Sequence, residues 1–278
     1  MPRLIRFCLA LLLFHPAWSG AASLTFSVTG LEAEPELQQN VLAWLGDDPE
    51  TTQERLNFVV SARDRIERSL QALGYYRPDI DIEVQRTEPV WQLVVSVDPG
   101  EPVLISNINI QIVGAAANDL EFARLISNVD IASGDVLHHG RYEDFRSSLL
   151  LLGQQRGYLD AVIASSRVAV EVTARTADVF IQYDSGRRYR FGALIHDDEM
   201  VDYELLDSLR TFHQGDYFEQ SRLQEFQAQL QRTNFFSSVI VLPLAVQAED
   251  GEVPIAVQLQ AAKRHSFDVG VGYSTDTE

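Results

Sequence analysis

A turn and the helix after it occur twice in this sequence at a fixed spacing, and a chain that repeats itself in this way must fold as copies of one small unit. Ser133-Gly134-Asp135-Val136-Leu137 recurs as Gln214-Gly215-Asp216-Tyr217-Phe218, and the offset of 81 also lays Arg141, Phe145 and Leu149 on Arg222, Phe226 and Leu230. A second mark occurs three times: Gly74-Tyr75, Gly157-Tyr158 and Asn234-Phe235, spaced 83 and 77 residues apart. Gly, and less readily Asn, tolerates positive φ, so each pair suits a helix that ends in a left-handed residue and turns into a strand.

The apolar pattern around each mark follows one order. In the first unit Leu24, Phe26 and Val28 alternate as a strand, and Leu37, Val41 and Leu45 stripe a short helix closed by Gly46. Thr51 with Glu54 forms a capping box that opens a longer helix striped by Leu56, Val59, Val60, Ile66, Leu70 and Leu73. Ile80, Ile82 and Val84 then pair as a hairpin with Trp91, Leu93, Val95 and Val97. The order βααββ returns from Ile108 to Tyr183 and again from Tyr189 to Leu259. The expected fold class is therefore α+β, with three tandem units at 23–100, 101–187 and 188–262. They join at Pro99-Gly100-Glu101-Pro102 and Ser185-Gly186-Arg187-Arg188, linkers too short to leave much freedom.

The two ends read differently. Arg3 and Arg6 precede an apolar run from Phe7 to Phe14, and Ser19-Gly20-Ala21-Ala22 suits signal peptidase, so residues 1–22 are expected to be a removable export signal. The run is too short to span a bilayer as a helix. Cys8, the sole cysteine, lies inside it, and the mature chain would carry no thiol or disulfide. At the other end, 263–278, Phe267, Val269, Val271 and Tyr273 alternate with Ser266, Asp268, Gly270, Gly272 and Ser274. That is the pattern of a barrel strand with lipid on one side and a polar lumen on the other.

Charge excludes one class of partner. Against 22 Lys+Arg stand 40 Asp+Glu, a formal charge of −18, and the only lysine is Lys263. A phosphate polyanion would meet repulsion over most of this surface, so no nucleic acid is expected. Catalytic motifs are absent: there is no Gly-x-Ser-x-Gly, His-Glu-x-x-His or Walker loop. His138-His139 beside Asp135 is read as a loop entering a helix, and His196-Asp197-Asp198-Glu199 as acidic residues ahead of one, in preference to metal sites. No catalytic residue, metal or cofactor is expected.

Three βααββ units with a Gly-aromatic mark, behind an export signal, resemble the POTRA (polypeptide transport-associated) domains of the outer-membrane barrel-assembly superfamily. The string Arg264-His265-Ser266-Phe267-Asp268-Val269-Gly270-Val271-Gly272-Tyr273-Ser274-Thr275-Asp276 is similar to the opening barrel strand of its TamA branch, the outer-membrane subunits of translocation and assembly modules. Members of that branch continue into a large transmembrane β-barrel, so this chain reads as an N-terminal fragment with a truncated barrel.

The resemblance implies a protein in the bacterial outer membrane with its POTRA domains in the periplasm, a TamB-like inner-membrane partner, unfolded outer-membrane client proteins and contact with outer-membrane lipid. It implies a role in inserting or translocating autotransporters and other outer-membrane proteins, without enzymatic chemistry. It also implies that the second strand of each unit lies at a sheet edge open to a partner strand. Those edges are 77–86, 161–172 and 236–244, and the favoured one is Ile80, Asp81, Ile82, Glu83 and Val84, because the first unit stands farthest from the barrel. The alternative from a different class is a periplasmic enzyme or solute-binding protein with a pocket between domains. Short linkers, small repeated cores and no convergent polar cluster argue against it.

Overall fold

The computed structural model describes residues 23–196 and 201–262. The export signal, the barrel strand with Phe267, Val269, Val271 and Tyr273, and most of His196-Asp197-Asp198-Glu199 lie outside these residues. The described residues group into two compact bodies, one ending at Pro102 and one starting at Val103.

The first body is a single βααββ unit. It runs β1 (Ser23–Thr29), α1 (Pro35–Leu45), α2 (Thr52–Ala72), β2 (Asp79–Arg86) and β3 (Val90–Asp98). The last strand is central: the order is β1-β3-β2, with β1 parallel and β2 antiparallel to β3. A parallel neighbour needs a long crossover, and the two helices supply it. The capping box is formed in full, with Thr51 accepting from Glu54 N and Glu54 accepting from Thr51 N. The core joins Leu24, Leu37, Val41, Leu45, Ile66, Leu70, Leu93 and Val95.

One part of the helix reading needs correction. Leu56 is 45% and Val60 84% exposed, whereas Arg55 and Phe58 are each 4% exposed. The buried face of α2 begins with Arg55, Phe58 and Ala62, a phase rotated by one residue from the run of aliphatics. Hydrophobicity misses this because the guanidinium of Arg55 stacks 4.0 Å above the Trp91 ring, and its methylene stem does the packing.

The second body holds the other two units. One comprises β4 (Leu104–Val113), a single 3-10 turn at Ala115–Asn118, α3 (Leu120–Ser127), α4 (His139–Gln155), β5 (Val162–Glu171) and β6 (Thr176–Asp184). The other comprises β7 (Arg190–Ile195), α5 (Tyr203–Leu209), α6 (Gln220–Arg232), β8 (Phe236–Pro243), a 3-10 turn at Ala245–Gln247 and β9 (Glu252–Ala261). Their sheets, β4-β6-β5 and β7-β9-β8, repeat the first in order and direction. The three βααββ units of the sequence are therefore the fold. The third core is rich in aromatics: Phe191 stacks on Phe212 at 3.8 Å and leans on Phe218 at 4.9 Å.

Candidate strand-docking edges

In each sheet the opening and second strands are the outer ones, and they are not equally open. The repeated Gly-Asp loop closes part of one side. Gly134, at φ 96, donates to the carbonyl of Ile105, Ile105 N donates to Asp135 O, and Leu137 N donates to Val103 O. In the third unit Gly215, at φ 87, donates to Phe191 O, Phe191 N to Asp216 O, and Phe218 N to Tyr189 O. The loop is held in both copies by its aspartate, which accepts from Ala132 N at 2.7 Å or His213 N at 3.0 Å. The short motif that betrays the repeat thus acts as an extra antiparallel bridge along the start of β4 and β7. In the first body Leu24 N donates to Pro49 O in the corresponding place.

β2, β5 and β8 carry no such bridge among the described residues, and each is paired only with its central strand. On β2, Ile80 is buried and Ile82 and Val84 pack partly against the core, while Asp81 and Glu83 are exposed. The five residues singled out from sequence lie on one strand with alternating duties: three hold the strand to its helices and two face water. Charge separates the edges. β2 carries Asp79, Asp81, Glu83 and Arg86, β5 carries Arg167 and Glu171, and β8 has no ionisable residue. Charges on an edge suppress promiscuous pairing, and β8 lacks that protection.

The cap positions have the backbone their residue types suggest, with φ of 93 at Gly74, 82 at Gly157 and 57 at Asn234. Tyr75 N donates to Leu70 O and Tyr158 N to Gly153 O, which satisfies carbonyls at the ends of α2 and α4.

Tyr158 also closes a polar knot. Its hydroxyl donates to Asp119 at 2.8 Å, and Arg156 Nε donates to the same carboxylate oxygen at 2.7 Å. Burial works to raise the Asp119 pKa, but the bonds from Arg156, Glu121 N and Tyr158 outweigh it and hold the carboxyl below its usual value. Burial, then the bond to Asp119, push the Tyr158 phenol up to about 12.

Two features here were missed by sequence reasoning. Arg55, on α2, donates to Glu88 and to Pro89 O, tying the helix to the hairpin that carries β2. The joint between the second and third units is the other. Tyr189 N donates to Gly157 O at 2.8 Å, Arg188 Nε to Arg156 O at 2.9 Å, and Tyr189 Oη to Asp160 at 2.7 Å. Beside it lies a cleft of about 410 Å³ whose lining includes Glu121, Arg156, Glu219 and Gln224. Arg156 is already committed there to Asp119.

The histidines of the Gly-Asp loop serve the helix. His138 caps α4 by accepting from Arg141 N at 3.2 Å, and His139 is its first residue. Among the described residues no group of three or more His, Cys, Asp or Glu could hold a metal ion, and no helix is long and apolar enough to cross a membrane.

Residues 25–99 match the family model for the POTRA domain, TamA domain 1. The first unit is a POTRA domain. Three solved structures illustrate what the whole chain is similar to. POTRA domains 3 to 5 of BamA from Haemophilus influenzae are 18% identical, with 87% of this chain and 96% of that one covered and a TM-score of 0.45. BamA from Haemophilus ducreyi lacking POTRA domains 1 to 3 is 17% identical over 57% of this chain and 29% of that chain, with a TM-score of 0.44. POTRA domains 1 to 3 of the periplasmic domain of Omp85 from Anabaena are 14% identical over 87% and 95%, with a TM-score of 0.32.

Proposed function

We propose that this chain is the periplasmic POTRA region of an outer-membrane assembly factor of the TamA type. It binds and positions extended segments of unfolded outer-membrane proteins, autotransporters among them, for insertion or translocation. A TamB-like inner-membrane protein is its partner, and the chemistry is recognition rather than bond making.

The observation that carries the reading is the POTRA match over the first unit together with the open β2 edge in that unit. An extended peptide gains main-chain hydrogen bonds by adding to such an edge, with little demand on its sequence. That suits a factor with many clients.

Ile82→Pro and Val84→Pro test the edge. Leu24 N in β1 points away from β3, to Pro49 O, so the register makes Asp81 and Glu83 face β3 and sends the amides of Ile82 and Val84 to the open side. Each of these prolines removes an edge donor, whereas Asp81→Pro breaks the ladder to β3 instead and serves as the comparison. With folding checked by circular dichroism, at least one of the two edge variants is expected to bind the TamB-like partner several-fold more weakly. Wild-type affinity in both would show that this edge is not the contact.

A further inference from the structure

The same repeat position holds Tyr75, Tyr158 and Phe235, and the third copy behaves differently. Tyr75 packs against the core of its unit. Tyr158 is 2% exposed and bonded to Asp119. Phe235 has no hydroxyl to anchor and stands 62% exposed. Of the three aromatics at this repeat position, Phe235 is the one left in water.

Its place on the chain says which. Phe235 O accepts from Ala262 N at 2.9 Å, so the Asn234-Phe235 corner lies beside the point where the chain leaves the third unit. Lys263 and Arg264 follow at once, then the alternating segment that begins with Phe267. From Ala262 to Phe267 an extended chain covers at most about 17 Å.

Charge agrees with position. The run from Phe226 to Ala248 holds no acidic residue in a chain with 40 of them, and none occurs between Glu252 and Asp268. Within the first run Arg232 is exposed, three residues from Phe235. An exposed ring three residues from an exposed arginine, on a run of chain without carboxylates, suits a phospholipid surface.

We propose that the Asn234-Phe235 corner of the third unit is a foot that rests on the phospholipid leaflet facing the periplasm, with Phe235 in the headgroup and acyl boundary and Arg232 near lipid phosphates. The proposal rests on the proposed TamA-type function and on the sequence reading of residues 263–278 as the start of a barrel, which would bring lipid within reach. The foot would fix the tilt of the third unit against the membrane.

Cys8 lies in the expected export signal, so Phe235→Cys gives the mature protein a single labelling site. Val246→Cys is the control. Val246 is 102% exposed but lies beyond the far end of β8, about 25 Å along the strand from Phe235. Val271→Cys reports on the barrel reading separately. Each native full-length protein, labelled with a small fluorophore, is reconstituted into phosphatidylethanolamine and phosphatidylglycerol vesicles containing doxyl lipids.

The foot requires quenching at 235 at least about threefold stronger than at 246, with 271 also quenched. Quenching at 271 but not at 235 overturns the foot and leaves the barrel reading standing. No quenching at either overturns both. A label at 235 shielded from doxyl lipid and from aqueous iodide alike would mark a protein contact and also overturn the proposal.

Discussion

Gly157 ends α4 of the second unit against Phe218 of the third so closely that a Cβ on Gly157 would stand 2.8 Å from the Phe218 Cβ and 2.9 Å from its carbonyl oxygen. Phe218 is fully buried in the third core, and Gly157 O accepts from Tyr189 N on the strand side of the same joint. One glycine therefore serves the helix cap, which needs its φ of 82, and the seam between units. On the proposed function, a client strand drawn to β5 or β8 would meet two sheets joined at this seam.

Gly157→Ala combines a left-handed backbone with a backbone and side-chain clash. It should destabilise the second body by about 2 to 4 kcal/mol. Gly215→Ala is the comparison, because Gly215 has φ 87 but nothing within 4 Å of a Cβ. It should cost about 1 to 2 kcal/mol from backbone strain alone. Urea unfolding of the two variants checks the difference, and equal losses would remove the seam from the explanation.

Asp119 caps α3 and gathers Arg156 and Tyr158, with its side chain only 6% exposed. Its native pKa lies below the ordinary 3.8, so its contribution is complete above that value and is lost as pH falls through the lowered one. Asp119→Asn should cost about 1.5 to 3 kcal/mol at neutral pH, the worth of a charge-assisted bond. The gap between variant and wild type should narrow as the pH is lowered through the acid range. Urea midpoints of both proteins measured across that range decide it; a constant gap would mean that geometry, not ionisation, carries the knot.

How far the fold was legible follows from what each interaction leaves in the sequence. The βααββ order was readable because period-2 and period-3.6 patterns and the Gly-aromatic caps are local, as with Thr51 and Glu54. The second strand's place at an edge came from family resemblance, since no local pattern tells an edge strand from a central one. Arg55 was not legible: its burial depends on the Trp91 ring that receives it, 36 positions along the chain. The seam was half legible. Gly157 announced a cap, but its meeting with Phe218 depends on packing between units.

Arg55 sets up a third expectation. Its side chain is 5% exposed, stacked on Trp91 and bonded to Glu88, which is itself 66% exposed. Arg55→Ala should destabilise the first unit by about 2 to 4 kcal/mol through lost packing as much as lost charge. Val60→Ala, at an exposed position on the same helix, should change stability by less than about 0.5 kcal/mol. Thermal melts of the two variants would reverse this ranking if the buried face of α2 were the one the aliphatic run suggests.

Proteolysis should separate the two linkers that the sequence makes look alike. Gly100 is exposed, and its amide donates to Asp98 of the same turn. At the other linker Ser185 is fully buried, its hydroxyl accepting from Ala116 N and donating to Val113 O, and Gly186 O accepts from Ala115 N. Arg188 and Tyr189 continue the stitching to Arg156 and Asp160. A protease needs several residues of extended, mobile chain, and the second linker can offer them only after these bonds open. Brief digestion with proteinase K should therefore cut first near Gly100 and leave the second and third units as one fragment. Gly157→Ala should add a later cut near Gly186. Equal early cleavage at both linkers in the wild-type chain would show that the hydrogen bonds around Ser185 do not hold the joint.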